Sequence, residues 1–343
     1  MHLFTIAALL CVGAANVQGF GRGDWEKYGP FQLALNSNLI KCNHDRTLNL
    51  DVSGISVYFY DFSKTKVLRF DIKDAAKGIL DYPDLDKNKP FVFFVAGFRS
   101  NIMKRTEEQV RETFKDLPNT YLIIFDHSPY TNDKDGGIKS YERSVKYVYY
   151  IGKAVADFLS SLHKGKISEN NMHCIGHSLG SQILGQTGEI FTKNTGAKIK
   201  RITALDPAGP CFSKSLVQEQ VRSGVAKYVE VYHCNAGGLG TTSVLGDIDF
   251  FVNKKGRSQP DCGTPLIPGI FDSSKAAKCN HRACIDVFTA SVRNHDWFPA
   301  TKCEKYKEFK HGGCALNDRT IAGYWNPCNA TGVYYFSTEG YLN

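Results

Sequence analysis

Nowhere after its first 20 residues does this 343-residue chain string together the roughly 18 apolar residues that a membrane-spanning helix needs. A dense basic stripe is also missing. The formal charge is +8, from 42 Lys and Arg against 34 Asp and Glu. Yet the basic stretches, Lys193 to Arg201 and Lys302 to Lys310, are short and diluted, and no nucleic-acid-binding module accompanies them. A nucleic-acid partner is therefore not expected. No linker rich in Pro, Gly or Ser divides the chain and no internal repeat runs through it, which excludes tandem modules and solenoids. Metal signatures fail in the same way. Cys279-Asn-His281-Arg-Ala-Cys284 offers three ligands, but no second CxxC or HxxxH pair completes a zinc set. Asp84-Leu-Asp86-Lys-Asn88 begins like a calcium loop and lacks the glycine and glutamate that would finish it. No metal and no organic cofactor is expected.

What is present describes an ordinary globular protein. Hydrophobic residues make up 42% and charged residues 22%, which rules out disorder and collagen-like repeats. Met1 to Gly19 carries no Lys, Arg, Asp or Glu, is apolar from Leu3 to Ala15, and places small residues at Val17 and Gly19 ahead of Phe20. That pattern predicts a secretory signal peptide over residues 1–19, a single domain over 20–343, and a secreted, extracellular protein. Of the eleven cysteines, Cys11 lies in the leader; the other ten are even in number, and six of them crowd between 262 and 328, as in a disulfide-tied C-terminal third. Asn329-Ala-Thr331 is a glycosylation sequon, with Asn329 the acceptor.

Residues 55–62 alternate as a strand does, whereas 90–98 (PFVFFVAGF) and 121–125 (YLIIF) are continuous apolar runs typical of strands buried on both faces. Between Tyr141 and His163 the residues Val145, Val148, Ile151, Val155, Phe158 and Leu162 step by three or four, which predicts an amphipathic helix. A strand over 172–175, a helix from Leu179 to about Phe191, and strands over 199–205 and 228–233 follow. Buried strands alternating with helices imply an α/β fold with a mostly parallel sheet and helices on both faces. From Asp247 onward loops are expected to dominate.

After the 172–175 strand comes Gly176-His177-Ser178-Leu179-Gly180, a G-x-S-x-G pattern between a strand and a helix. A turn this tight needs glycines around the serine, and the following helix N-terminus favours developing negative charge. A serine hydroxyl requires a histidine base oriented by a carboxylate. Asp206, at the end of the 199–205 strand, falls on the same sheet edge, with Asp247 and Asp249 as competing acids. The histidines after it are His233, His281, His295 and His311, and His281 lies in a region bounded by cysteines.

HCIGHSLGSQILG (173–185), ITALDPAGPCF (202–212) and KCNHRAC (278–284), in this order and spacing, resemble the pancreatic lipase family of secreted neutral lipases and phospholipases A1. LGDIDFFVN (245–253) resembles the segment ahead of that family's lid. The resemblance implies an α/β-hydrolase fold and a triad of Ser178, Asp206 and His281. It implies an oxyanion hole from the backbone N–H groups of Leu179 and, in Val95-Ala96-Gly97-Phe98, of Phe98. It implies a lid loop closed by Cys262 and Cys279, carrying Leu266, Ile267, Ile270 and Phe271, and a second pair, Cys303 with Cys314. Cys284 with Cys328 is a further candidate pair that the resemblance does not supply, and the sequence leaves Cys42, Cys174, Cys211 and Cys234 unplaced.

Two positions depart from the family pattern: Ala96-Gly97 where His-Gly is usual, and Asp126-His127 where Asp-Trp is common. The first keeps a backbone donor but loses whatever the histidine side chain supported. The likeness is to short single-domain, insect-type members, without a C-terminal cofactor-binding domain. The implied activity is hydrolysis of lipid esters, of triacylglycerol or phospholipid, at an emulsion, micelle or membrane surface through an acyl-enzyme. The alternatives are a catalytically inactive lipid-binding or storage relative, for which Ala96 speaks, and a serine hydrolase of soluble esters or peptides.

Overall fold

The structure is a computed structural model that describes residues 40–212, 216–262 and 275–342. Strands β1 (Ser56–Asp61), β2 (Lys66–Asp71), β3 (Phe91–Val95), β4 (Tyr121–Asp126), β5 (Met172–His177), β6 (Arg201–Leu205), β7 (Tyr228–His233), β8 (Ile248–Val252), β9 (Pro299–Lys302), β10 (Arg319–Ile321) and β11 (Gly332–Phe336) form one sheet. Their order is β10-β9-β11-β8-β7-β6-β5-β3-β4-β1-β2. The run from β4 through β3, β5, β6, β7 and β8 to β11 is parallel, and β1, β2, β9 and β10 join antiparallel at the two edges.

The helices are α1 (Ile72–Leu80), α2 (Arg105–Phe114), α3 (Ser128–Thr131), α4 (Gly137–Lys164), α5 (Leu179–Thr195), α6 (Lys275–Arg293) and α7 (Tyr306–Lys310). Strand side chains divide between two cores with a period of two. Phe91, Phe93 and Val95 join Ile79 of α1, Val145 of α4 and Ile183 of α5 on one face. Val92 and Phe94 join Val110 of α2 and Phe288 of α6 on the other. This is why β3 and β4 read as unbroken apolar runs: each face of the sheet meets a helical layer. Every member of the α4 stripe from Val145 to Leu162 is buried.

The C-terminal third corrects the sequence expectation of loops. It holds β8, the 19-residue α6 and three further strands. The buried face of α6 is built from Ala277, Asn280, His281, Cys284, Ile285, Phe288 and Val292, so polar and small residues take places where a helical stripe is normally apolar. Periodicity of hydrophobicity is masked by that substitution.

Four disulfides tie the fold: Cys42–Cys211, Cys234–Cys284, Cys262–Cys279 and Cys303–Cys314. The pairing of Cys284 with Cys328 is thereby corrected. Cys284 projects from α6 onto Cys234 at the end of β7, with the Cα atoms 5.7 Å apart. Cys328 carries a free thiol beside the Asn326 carbonyl, and Cys174 is free and buried within β5. Residues 1–19 and the expected lid tip, with Leu266, Ile267, Ile270 and Phe271, lie outside the described residues. Among the described residues no helix is long and apolar enough to cross a membrane.

Candidate active site

Parallel strands bring their C-terminal ends to one edge, and three of the sequence-selected positions follow β3, β5 and β6 there. Ser178 sits between β5 and α5 with φ 56 and ψ −121, backbone that a residue with a Cβ occupies only at a cost of about 1–3 kcal/mol. Its surroundings leave no room for side chains on the flanking glycines. A Cβ on Gly180 would lie 2.0 Å from the Val95 carbonyl oxygen, and one on Gly176 would lie 2.7 Å from the Gly180 backbone. Hydrogen bonds hold the elbow to the next strand. The Ser178 N–H donates to the Leu205 carbonyl at 3.0 Å, and the Ala208 N–H donates to the Ser178 carbonyl at 3.1 Å. Serine and aspartate loops are therefore one hydrogen-bonded unit.

Asp206 is fully buried, at φ 43. Its Oδ1 accepts from the backbone N–H groups of Cys234 at 2.8 Å and Asn235 at 3.0 Å, which follow β7. Its Oδ2 faces His281 Nδ1 at 2.5 Å. A carboxylate only accepts, so Nδ1 carries the hydrogen and Nε2 is left as the basic nitrogen. Gly240 closes over the carboxylate, where a Cβ would lie 2.5 Å from Oδ1.

Among the candidate partners, the structure pairs His281 with Asp206 and ties the Ser178 turn to the Asp206 loop, and it leaves the others elsewhere. Asp249 pairs with the buried His233 at 2.8 Å. Asp247 accepts from Ser223 Oγ and from the Val229 N–H. His295 stacks on Trp325, and His311 is exposed at the end of α7. His281 lies on α6, not on a loop. The sulfurs of Cys279 and Cys284, beside it in the notional metal set, are in disulfides. So are those of Cys303 and Cys314, which gather near Glu308.

Leu179 is the first residue of α5, so its N–H has no intrahelical acceptor. Phe98 follows β3 by three residues, and the chain leading to it presses on the serine: a Cβ on Gly97 would lie 2.8 Å from Ser178 Cβ. The Phe98 ring meets Tyr141 edge-on, with centroids 5.3 Å apart.

Sequence reasoning missed His177. Its Nε2 lies 3.0 Å from the His281 carbonyl oxygen, and its ring centroid is 4.7 Å from that of His281. Because a carbonyl only accepts, Nε2 is the donor. Burial, reinforced by the adjacent His281, pushes the His177 pKa down to about 3, so the ring is neutral near pH 7 and adds no charge beside the His281 imidazole. Its place as the second residue of G-x-S-x-G was the available signal, since that side chain must flank the serine. Asn329 of the sequon is exposed.

A doubly covered, mostly parallel sheet with a strand–serine–helix elbow defines an α/β-hydrolase fold. Within that class the chain belongs to the Lipase family, whose model matches residues 37–335. It is 32% identical over 192 residues to Lipase member H of Mus musculus, covering 56% of this chain and 40% of that protein. It is 33% identical over 215 residues to Pancreatic lipase-related protein 3 of Homo sapiens, covering 58% and 45%. It is 31% identical over 227 residues to Probable phospholipase A1 magnifin of Vespa magnifica, covering 63% and 62%. The chain spans about half the length of the curated relatives it matches.

Proposed function

We propose that the protein is a secreted carboxylic-ester hydrolase of lipids that works through Ser178, His281 and Asp206. The observation that carries this reading is the buried Asp206–His281 contact of 2.5 Å on the sheet edge where strained Ser178 stands. His281 Nε2 takes the proton from Ser178 Oγ as the oxygen attacks the ester carbonyl carbon. Asp206 holds the imidazole with Nδ1–H toward its carboxylate and stabilises the imidazolium. The N–H groups of Phe98 and Leu179 receive the developing oxyanion. When the tetrahedral intermediate collapses, the leaving alkoxide takes the proton from His281 and an acyl-Ser178 ester remains. Water, deprotonated by His281, then attacks that ester, releases the fatty acid and restores the serine.

Lipid as the substrate class is supported by membership of the Lipase family and by relatives named as lipases and phospholipases A1. Secretion is supported by four disulfides, which persist in oxidising compartments. An exposed Asn329 suits glycosylation there. The test is release of fatty acid from paired triacylglycerol and phosphatidylcholine emulsions. At least one should be hydrolysed, and Ser178→Ala should lower the rate about 1,000-fold or more. Hydrolysis by Ser178→Ala at the parent rate would overturn the assignment, and no hydrolysis of either emulsion by the parent would favour a lipid-binding protein.

A further inference from the structure

The stretch that carries the Phe98 N–H is gripped at both ends by one short turn. Ahead of it, the Ala96 carbonyl oxygen lies 3.1 Å from His127 Nε2. Behind it, the Arg99 N–H donates to the Thr131 carbonyl at 2.9 Å, with Arg99 held at φ 63. His127 and Thr131 are the two ends of the turn that contains α3, and they are bonded to each other. Thr131 Oγ1 lies 2.9 Å from His127 Nδ1 and 3.2 Å from the His127 carbonyl oxygen. Both side chains are buried, at 2% and 0% exposure.

The protons in this array follow from what each group can do. The Ala96 carbonyl only accepts, so His127 Nε2 carries a hydrogen. Burial lowers the His127 pKa below the ordinary imidazole value, against the opposing pull of Asp126, so the ring is neutral and Nδ1 is a lone pair. The Thr131 hydroxyl has one hydrogen, which it shares between the Nδ1 lone pair at 2.9 Å and the His127 carbonyl oxygen at 3.2 Å. Thr131 thus holds the His127 ring at Nδ1 while Nε2 holds Ala96.

Between the two grips lie only Gly97 and Phe98. Gly97 has the widest choice of φ and ψ of any residue, and the direction of the Phe98 N–H depends on where the peptide ahead of it is fixed. The Ala96 carbonyl is boxed in from the other side as well, since a Cβ on Gly180 would lie 2.4 Å from its oxygen.

We propose that His127 is a positioning residue for ester hydrolysis: its Nε2–H bond to the Ala96 carbonyl, oriented by the Thr131 hydroxyl, aims the Phe98 N–H at the oxyanion. This rests on the reading of Phe98 as an oxyanion donor. His127 touches no substrate and moves no proton.

The experiment measures kcat and KM per active site, with sites counted by stoichiometric fluorophosphonate labelling so that only folded, competent enzyme enters the rate. His127→Phe removes the donor and Thr131→Val removes the hydroxyl at nearly constant shape. His127→Gln and Thr131→Ser retain a donor and a hydroxyl respectively. Loss of one oxyanion donor costs about 100- to 1,000-fold in kcat, and misdirecting one costs less. His127→Phe and Thr131→Val should therefore lower kcat per labelled site by about tenfold or more, with KM within about twofold of the parent. Thr131→Ser should stay near the parent and His127→Gln should fall between. The valine and serine pair at Thr131 decides the matter where His127→Phe does not fold. Parent-like kcat per labelled site in Thr131→Val, or equal losses in Thr131→Val and Thr131→Ser, would overturn the inference while leaving the hydrolase reading intact. A parent enzyme that turns over ester without taking any label would overturn the reading of Ser178 as the nucleophile, and this inference with it.

Discussion

Glu107 sits in an environment that does not suit its charge. It lies on α2 with 1% of its surface exposed, one carboxylate oxygen has no hydrogen-bond partner, and burial raises its pKa to about 7 despite a bond with Ser100. Because the folded value exceeds the unfolded one, the fold holds a proton that the unfolded chain releases above about pH 4.5. Stability from this group therefore falls as pH rises toward 7 and changes no further beyond it. Glu107→Gln should stabilise the protein at pH 8 by up to about 3 kcal/mol and have little effect at pH 4.5. Urea unfolding at the two pH values checks this, and an equal effect at both would contradict it. Residues of this kind mark what a sequence reading reaches and what it does not. Ser178, Asp206 and His281 are legible because their neighbours are diagnostic: glycines around the serine, a strand end before the aspartate. His177 and His127 were not assigned roles, because what they do depends on carbonyls 104 and 31 residues away in the chain. Ala96 and His127 read as two separate departures from the family pattern; in the fold they are hydrogen-bonded to each other.

At the scale of elements, α6 must hold His281 against a carboxylate that belongs to the sheet. The Cys234–Cys284 disulfide makes that connection. Cys284 lies on the buried face of α6 with His281, and the Cys234 N–H donates to Asp206 Oδ1. Closing a loop of sequence separation 50 stabilises a fold by about 3–4 kcal/mol in the chain-entropy account. The double variant Cys234→Ser with Cys284→Ser should lose about that much stability and also lose kcat, because aspartate and histidine are no longer tied. Cys303→Ser with Cys314→Ser removes a bridge set among Phe251, Tyr306, Phe309 and Tyr335, away from the triad candidates. It should cost stability and leave kcat unchanged. Equal losses of kcat in the two double variants, measured on folded protein, would contradict the role given to the first bridge. The elements most legible in the sequence, β3, β4 and α4, have buried surfaces made mostly of hydrocarbon. Those least legible are α6, whose inner face is half polar, and β2, which is largely exposed at the sheet edge.

At the scale of the whole molecule, the parallel order of β3, β5, β6 and β7 assembles the candidate site. Each strand delivers one part at its C-terminal end: Phe98, Ser178, Asp206, and the Cys234 and Asn235 amides that cradle the aspartate. In open α/β sheets this edge is where ligands bind. His281 arrives from α6, the helix that sequence reading took for loop. The central claim is that this edge turns Ser178 into a nucleophile, and the most direct test is to map where a fluorophosphonate attaches, by mass spectrometry of peptides from the labelled protein. The label is predicted on Ser178 in the parent and on no serine in Ser178→Ala, with labelling slowed by about 1,000-fold or more in His281→Ala. A label on a different serine, or labelling of Ser178 at the parent rate in His281→Ala, would contradict the account.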